Sequence, residues 1–247
     1  MTVTLEKLKP AAAKRIGSFL DEILNSYRER IHSIYVTGSA ITEDFHEERS
    51  DVNSIVMLKE MDLKFLEMLA PLGKKYGKHK VAAPLIMTPD YVRSSLDVFP
   101  VEFLNIKLIH STVYGDDMFT DIEINRMDLR YQCERELKVK LIWLRQGYLS
   151  SLGDRNILAE NFARSITGHI PLFRGLIVLL GKQPPAGHGS VISSLAEAAG
   201  INTDIFTRVL AMKHAKSKPS IEELNTIFED YYSATEKLGR IVDEIRE

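Results

Sequence analysis

Between residues 34 and 58 the chain reads IYVTGSAITEDFHEERSDVNSIVML, and no other stretch restricts the fold as much. An apolar run ends in Gly38-Ser39, eleven residues follow, and Asp51-Val52-Asn53 opens a second apolar run. Short apolar runs bounded by turn residues predict strands. The glycine lets the backbone turn sharply and lie close to a ligand. Side chains alternate faces along a strand, so Asp51 and Asn53 project the same way, about 7 Å apart, while Val52 points into the core.

That order suits a phosphate-and-metal site. The amides of Ser39 and Ala40 can donate to a phosphate, helped by any short helix that follows, and Ser39 adds a hydroxyl. Phosphoryl and nucleotidyl transfer need charge neutralised at the attacked phosphorus, usually by Mg²⁺ held on carboxylates. Asp51 is the first acidic candidate. Glu102, in VEFLN, is the next, because a glutamate inside an apolar strand is costly unless paired or metal-bound. Asp97 is the fallback, just before Phe99-Pro100. Taken singly these signals are weak: a Gly-Ser pair after a strand is usually only a turn, and an Asp at a strand start is often a cap. Their order is what points to a site.

Residues 4–30 predict an opening helix, with Ile16, Phe19, Leu20, Ile23 and Leu24 at helical spacing. Strands are expected at 31–37, 51–58, 79–88 and 100–110. Pro84 argues that the third is an edge or bulged strand, and YGDD at 114–117 supplies a turn. A helix is expected at 62–76, capped by Asp62. From about residue 126 the pattern turns all-helical. Leu129, Cys133, Leu137, Leu141, Leu144 and Tyr148 form one apolar face. Residues 155–180 are helical with a break at Gly168 and Pro171, and GKQPPAGHG (181–189) is a loop. Two short helices follow, near 190–199 and 203–214. The last segment spaces Ile221, Leu224, Phe228, Tyr231, Thr235, Leu238, Val242 and Ile245 by threes and fours. It reads as a bundle helix, with a homodimer seam as the alternative. The fold class is therefore α/β (α+β): a mixed-sheet domain over 1–122, then an all-α helical bundle over 123–247.

Gly38-Ser39, the spacer and Asp51-Val52-Asn53 resemble the signature of the nucleotidyltransferase superfamily. That family includes aminoglycoside enzymes, minimal toxin–antitoxin enzymes and polymerase-β-like enzymes. The match spans roughly residues 31–117, where YGDD resembles a turn that many such domains carry; the helical tail resembles the C-terminal bundle of two-domain members in architecture. The resemblance implies a nucleoside triphosphate substrate, ATP first, with Mg²⁺, and an acceptor whose identity stays open. It maps Gly38 and Ser39 to the phosphate-binding turn, Asp51 to the first metal ligand and Glu102 to the third acid. Asn53 falls where the second acid belongs. It can offer a metal only a neutral carbonyl oxygen, so the chain reads either as a weakened transferase or as a nucleotide-binding module without turnover. The expected site is the cleft between the two domains.

Arg164 and His169, four residues apart, resemble the pair of HEPN-type helical ribonucleases, a third function class; solvent or interface roles are the commoner reading of such a pair. Glu160 could serve as a general base, against the plainer reading of a solvated carboxylate. His46 and His188 lack partners at metal spacing, Trp143 reads as packing at the bundle surface, and Arg135, Lys138 and Arg145 as a solvated face. A net charge of −2, split as 15 basic and 19 acidic residues up to position 125 and 17 and 15 after it, draws the chain to neither nucleic acid nor membrane. No apolar run is long enough to span a bilayer. The single cysteine, Cys133, excludes an intrachain disulfide and fits a reducing, cytoplasmic setting.

Overall fold

The computed structural model of the chain describes residues 2–213 and 219–246. The strand expected at 31–37 is β1 (Ile31–Thr37), and it leads into a single 3-10 turn, Gly38–Ile41. Its hairpin partner is β2 (Asn53–Leu58), antiparallel to β1 from Ile31↔Leu58 to Thr37↔Asn53. A short β3 (Leu85–Met87) lies parallel to β2, and β4 (His110–Gly115) lies antiparallel to the other side of β1. The sheet is thus mixed and ordered β3-β2-β1-β4.

The chain divides into two units: residues 1–96 with 103–123, and residues 97–102 with 124–247. In the first, α1 (Pro10–Tyr27) and α2 (Leu63–Gly77) cover one sheet face. The helical stripe of α1 (Ile16, Phe19, Leu20, Ile23) is buried against Ile34, Val36, Val56 and Leu58. Each such side chain contributes about 1.5–3 kcal/mol by leaving water. Asp62 caps α2 by accepting from the Lys64 amide, as its sequence position suggested. The expected third strand shrinks to its last residues. Val81 makes one bridge to Val52, Pro84 has no amide to give, and β3 is an edge of the sheet. A short α3 (Pro89–Ser94) follows.

The strand expected at 100–110 is instead a helix, α4 (Pro100–Leu108). Val101 and Phe103 are buried in alternation, which mimics a strand, but Leu104 is buried with them. Periodicity over so short an apolar run cannot separate the two states. Pro100 suits the first turn of a helix. The pairing strand comes later, in the β-branched and aromatic residues of β4. Gly115 ends it at φ +77°, where a Cβ would sit 2.2 Å from the His32 carbonyl oxygen, so only glycine fits.

The second unit is helical: α5 (Arg126–Ser150), α6 (Arg155–Thr167), α7 (Ile170–Leu179), α8 (His188–Ala199), α9 (Asp204–Met212) and α10 (Ile221–Glu244). Asn125, Asp154 and Ser220 cap α5, α6 and α10 through their side chains. The expected break falls between α6 and α7, with Gly168 closing one and Pro171 opening the other. Arg174 is buried and donates to the carbonyls of Pro185 and Ala186, which pins the 181–189 loop. Of the helix expected at 203–214, His214 lies outside the described residues. The α10 heptad buries Leu224, Tyr231, Thr235, Leu238 and Val242 within the chain, and α10 packs on α5, α6 and α9. The seam is therefore a bundle contact.

Candidate functional site

The register Thr37↔Asn53 sets the Asn53 side chain beside the Gly-Ser turn. Gly38 is left-handed at φ +72°. A Cβ there would meet only Asn53 Nδ2, at 3.8 Å, so the turn opens onto that amide. Ser39 is half-buried and its carbonyl accepts from Thr42, which closes the 3-10 turn. Val52 is buried and anchored on both sides: its amide donates to the Lys80 carbonyl, and its own carbonyl accepts from Ala82. Asp51 and Asn53 flank it and both are exposed, Asp51 just before β2 and Asn53 as its first residue. Of the four expected site residues, the Asn53 side chain lies beside Gly38, with Ser39 next in the chain and Asp51 two residues before Asn53.

Glu102 is different. It is exposed in the first turn of α4 and belongs to the second unit. Gln132 donates to Glu102 Oε2 at 2.7 Å and accepts the Val101 amide at 2.7 Å, clamping the start of the helix. A first-turn acid is at home at the positive end of a helix. That explains an acid in this apolar run without a metal, and corrects the placement of Glu102 in a strand.

A two-ion Mg²⁺ site needs several carboxylates aimed at one place. β1, β3 and β4 carry no acidic residue. Among the described residues, no three His, Cys, Asp or Glu side chains are grouped so as to hold a metal ion. Asp51 offers one carboxylate and Asn53 a neutral amide. The donor set does not fit a two-ion centre.

The ribonuclease pair is also taken apart. Arg164 is exposed and pairs with Glu160 at 3.3 Å. His169 is wholly buried among Phe173, Phe206 and Tyr231. Its Nδ1 lies 3.0 Å from both the Ser165 carbonyl oxygen and the Tyr231 hydroxyl. Burial pushes the imidazole down to about 4 and the Tyr231 phenol up. A neutral ring sealed in a core cannot shuttle protons to RNA.

Elsewhere, Lys138 pairs with Glu134 and Asp243, and Arg145 lies over the Tyr232 ring. Trp143 lies at the surface of the helical unit, 68% exposed, with the Lys140 ammonium 5.9 Å from its ring. Cys133 is inert: burial pushes its thiol up to about 12. Sequence reasoning missed a polar cluster on the sheet. Tyr35 donates to the Asp116 carbonyl and accepts from Ser33 and the Met118 amide. The His110 Nε2 lies 3.1 Å from Asp117, whose carboxylate also accepts from Phe119 and Thr120. Burial would raise the Asp117 carboxyl, but the hydrogen bonds from His110 and Thr120 outweigh it and hold it below the usual carboxylate value. The alternation Ser33, Tyr35, Thr37 was the available signal for this face. The YGDD turn is thereby explained as scaffold.

The fold, a mixed-sheet unit with a helical one, is shared with a solved nucleotidyltransferase. The crystal structure of spectinomycin adenyltransferase AAD(9) from Enterococcus faecialis with ATP and spectinomycin is similar over 91% of this chain and 98% of that one, with a TM-score of 0.56 and 13% identity. At that identity the likeness is one of fold. No protein-family model and no curated protein matches the sequence. Among the described residues no helix is long and apolar enough to cross a membrane.

Proposed function

We propose that this chain is a nucleotide-binding module on the nucleotidyltransferase fold, taking a nucleoside triphosphate such as ATP at the Gly38-Ser39 turn without nucleotidyl transfer. The observation that carries this reading is Asn53 Nδ2 beside Gly38, in a sheet whose strands carry no carboxylate. The turn that would hold phosphate is kept, and the charge that would hold two ions is not. A triphosphate still gains backbone and hydroxyl donors there. It lacks the paired metals that stabilise departing pyrophosphate.

A second reading is favoured by one finding. The similarity to AAD(9) runs through 98% of that chain, and that structure contains both ATP and spectinomycin. In this reading an acceptor hydroxyl attacks the α-phosphorus and pyrophosphate leaves, slowly for want of carboxylates. Isothermal calorimetry with ATP and a pyrophosphate-release assay against a panel of hydroxyl acceptors separate the two. Heat without release supports the module. Release abolished by Asp51→Ala supports the transferase, and no heat with any nucleoside triphosphate defeats both.

A further inference from the structure

Resting on the nucleotide-binding reading above, we infer that the site binds its triphosphate without a metal, the Asn53 amide donating directly to a phosphate where a carboxylate would have required a bridging cation. The geometry is local. Asn53 Nδ2 lies 3.8 Å from where a Gly38 Cβ would be, and apart from the adjoining residues no other described atom comes within 4 Å of that point. The side chain is exposed and makes no hydrogen bond to another described residue that would hold those donors back.

The charge argument is independent of that contact. A carboxylate at position 53 would stand two residues from the exposed Asp51, and two carboxylates so close in the chain repel a polyphosphate unless a divalent ion lies between them. Asparagine has nearly the carboxylate's shape, removes that repulsion, and turns an acceptor into a donor. The strands around it add no acid. Of the pair, Asp51 remains the carboxylate, exposed and without an ion pair among the described residues, still opposing the phosphate. Mg²⁺ arriving with the nucleotide is tolerated at such a site and not required.

The test is ATP titration of the full chain by calorimetry, in EDTA and in excess Mg²⁺, for the natural protein, Asn53→Asp and Asp51→Asn. Both positions are exposed, and a thermal melt checks that each variant folds. The natural protein should bind in EDTA within about threefold of its affinity in Mg²⁺. Asn53→Asp should lose at least about tenfold in EDTA and regain it in Mg²⁺, while Asp51→Asn should bind about tenfold tighter in EDTA, each tenfold being about 1.4 kcal/mol. Binding of the natural protein only in Mg²⁺ overturns the metal-free inference and leaves the nucleotide-binding reading intact. An Asn53→Asp variant as tight in EDTA as the natural protein overturns the role given to the amide. No binding under either condition overturns the nucleotide-binding reading itself, and the inference with it.

Discussion

Two polar clusters stand out in this chain, one at the Gly38–Asn53 mouth and one around His169, and they have opposite physical characters. At the mouth, Asp51 and Asn53 are exposed and Gly38 faces open space apart from one amide. Around His169, a ring with no exposed surface meets Tyr231, the Ser165 carbonyl and its aromatic neighbours. Both contain residue types that do chemistry elsewhere. A ligand can use only groups whose donors are not already spent on the fold, and the helical cluster has spent nearly all of its own. One atom there, His169 Nε2, is buried with no hydrogen-bond partner among the described residues. The comparison teaches that residue identity nominates a site and local saturation decides it.

The largest effect should come from testing whether openness at Gly38 is local to the mouth. Gly38 and Gly115 are both left-handed glycines of the same unit, yet a Cβ at Gly115 would sit 2.2 Å from a carbonyl oxygen and 2.7 Å from Ser33 Cα. Gly115→Ala must therefore push β4 off β1. It should cost about 4 kcal/mol or more, or prevent folding. Urea unfolding checks this; a loss under about 1 kcal/mol would mean that the sheet gives way easily, and the contrast between the two glycines would dissolve.

Next comes the buried imidazole. Its folded value is about 4 against 6.5 for an ordinary histidine, so between those values the unfolded chain holds a proton that the folded one refuses. Stability is complete above pH 6.5 and falls as pH drops toward 4. The total loss is roughly 3 kcal/mol, because each pH unit between the two values is worth about 1.4 kcal/mol. His169→Gln should flatten that slope in chemical unfolding followed from neutral pH down to about 4. An unchanged slope would mean that the ring is not sealed, and the distinction between the clusters would lose its main support.

The same contrast explains how far the amino-acid pattern could be followed. β1 and β2 were legible because each is a short apolar run bounded by turn residues, and α1 and α10 because their periods persist over several turns. The break at Gly168 and Pro171 was legible because both residues oppose helix continuation. α4 was not, since Val101, Phe103 and Leu104 are buried together and so short an apolar-rich run fits either period. Within the site, Gly38 against Asn53 could be reached because both lie on one hairpin, where register follows from the turn. Glu102 could not, because its partner Gln132 is 30 residues away and on another helix. Nor could the sealing of His169, which depends on Phe206 and Tyr231 from two later helices.

Gly38→Ala is expected to act on binding more than on stability. The left-handed backbone costs a Cβ-bearing residue about 1–2 kcal/mol, while the nearest neighbour, Asn53 Nδ2 at 3.8 Å, is at ordinary contact distance. The melting temperature should fall by a few degrees, and ATP should bind about tenfold more weakly because the methyl occupies the mouth. Unchanged affinity in a folded variant would move the ligand away from this turn and end the contrast in its present form.

The smallest effect belongs to Arg164→Ala. Its side chain is 74% exposed and that of its partner, Glu160, is 65% exposed, one helical turn away. Such pairs are worth at most about 0.5 kcal/mol, so urea midpoints should barely move. RNA incubated with the natural protein and with the variant should survive equally, because the neighbouring histidine is neutral and shut in the core. A cleavage activity present in the natural protein and lost in Arg164→Ala would show that the helical cluster opens in solution far enough to expose His169. Saturation in the folded state would then no longer rank the two clusters, and the helical unit would take the place of the Gly38 mouth as the seat of chemistry.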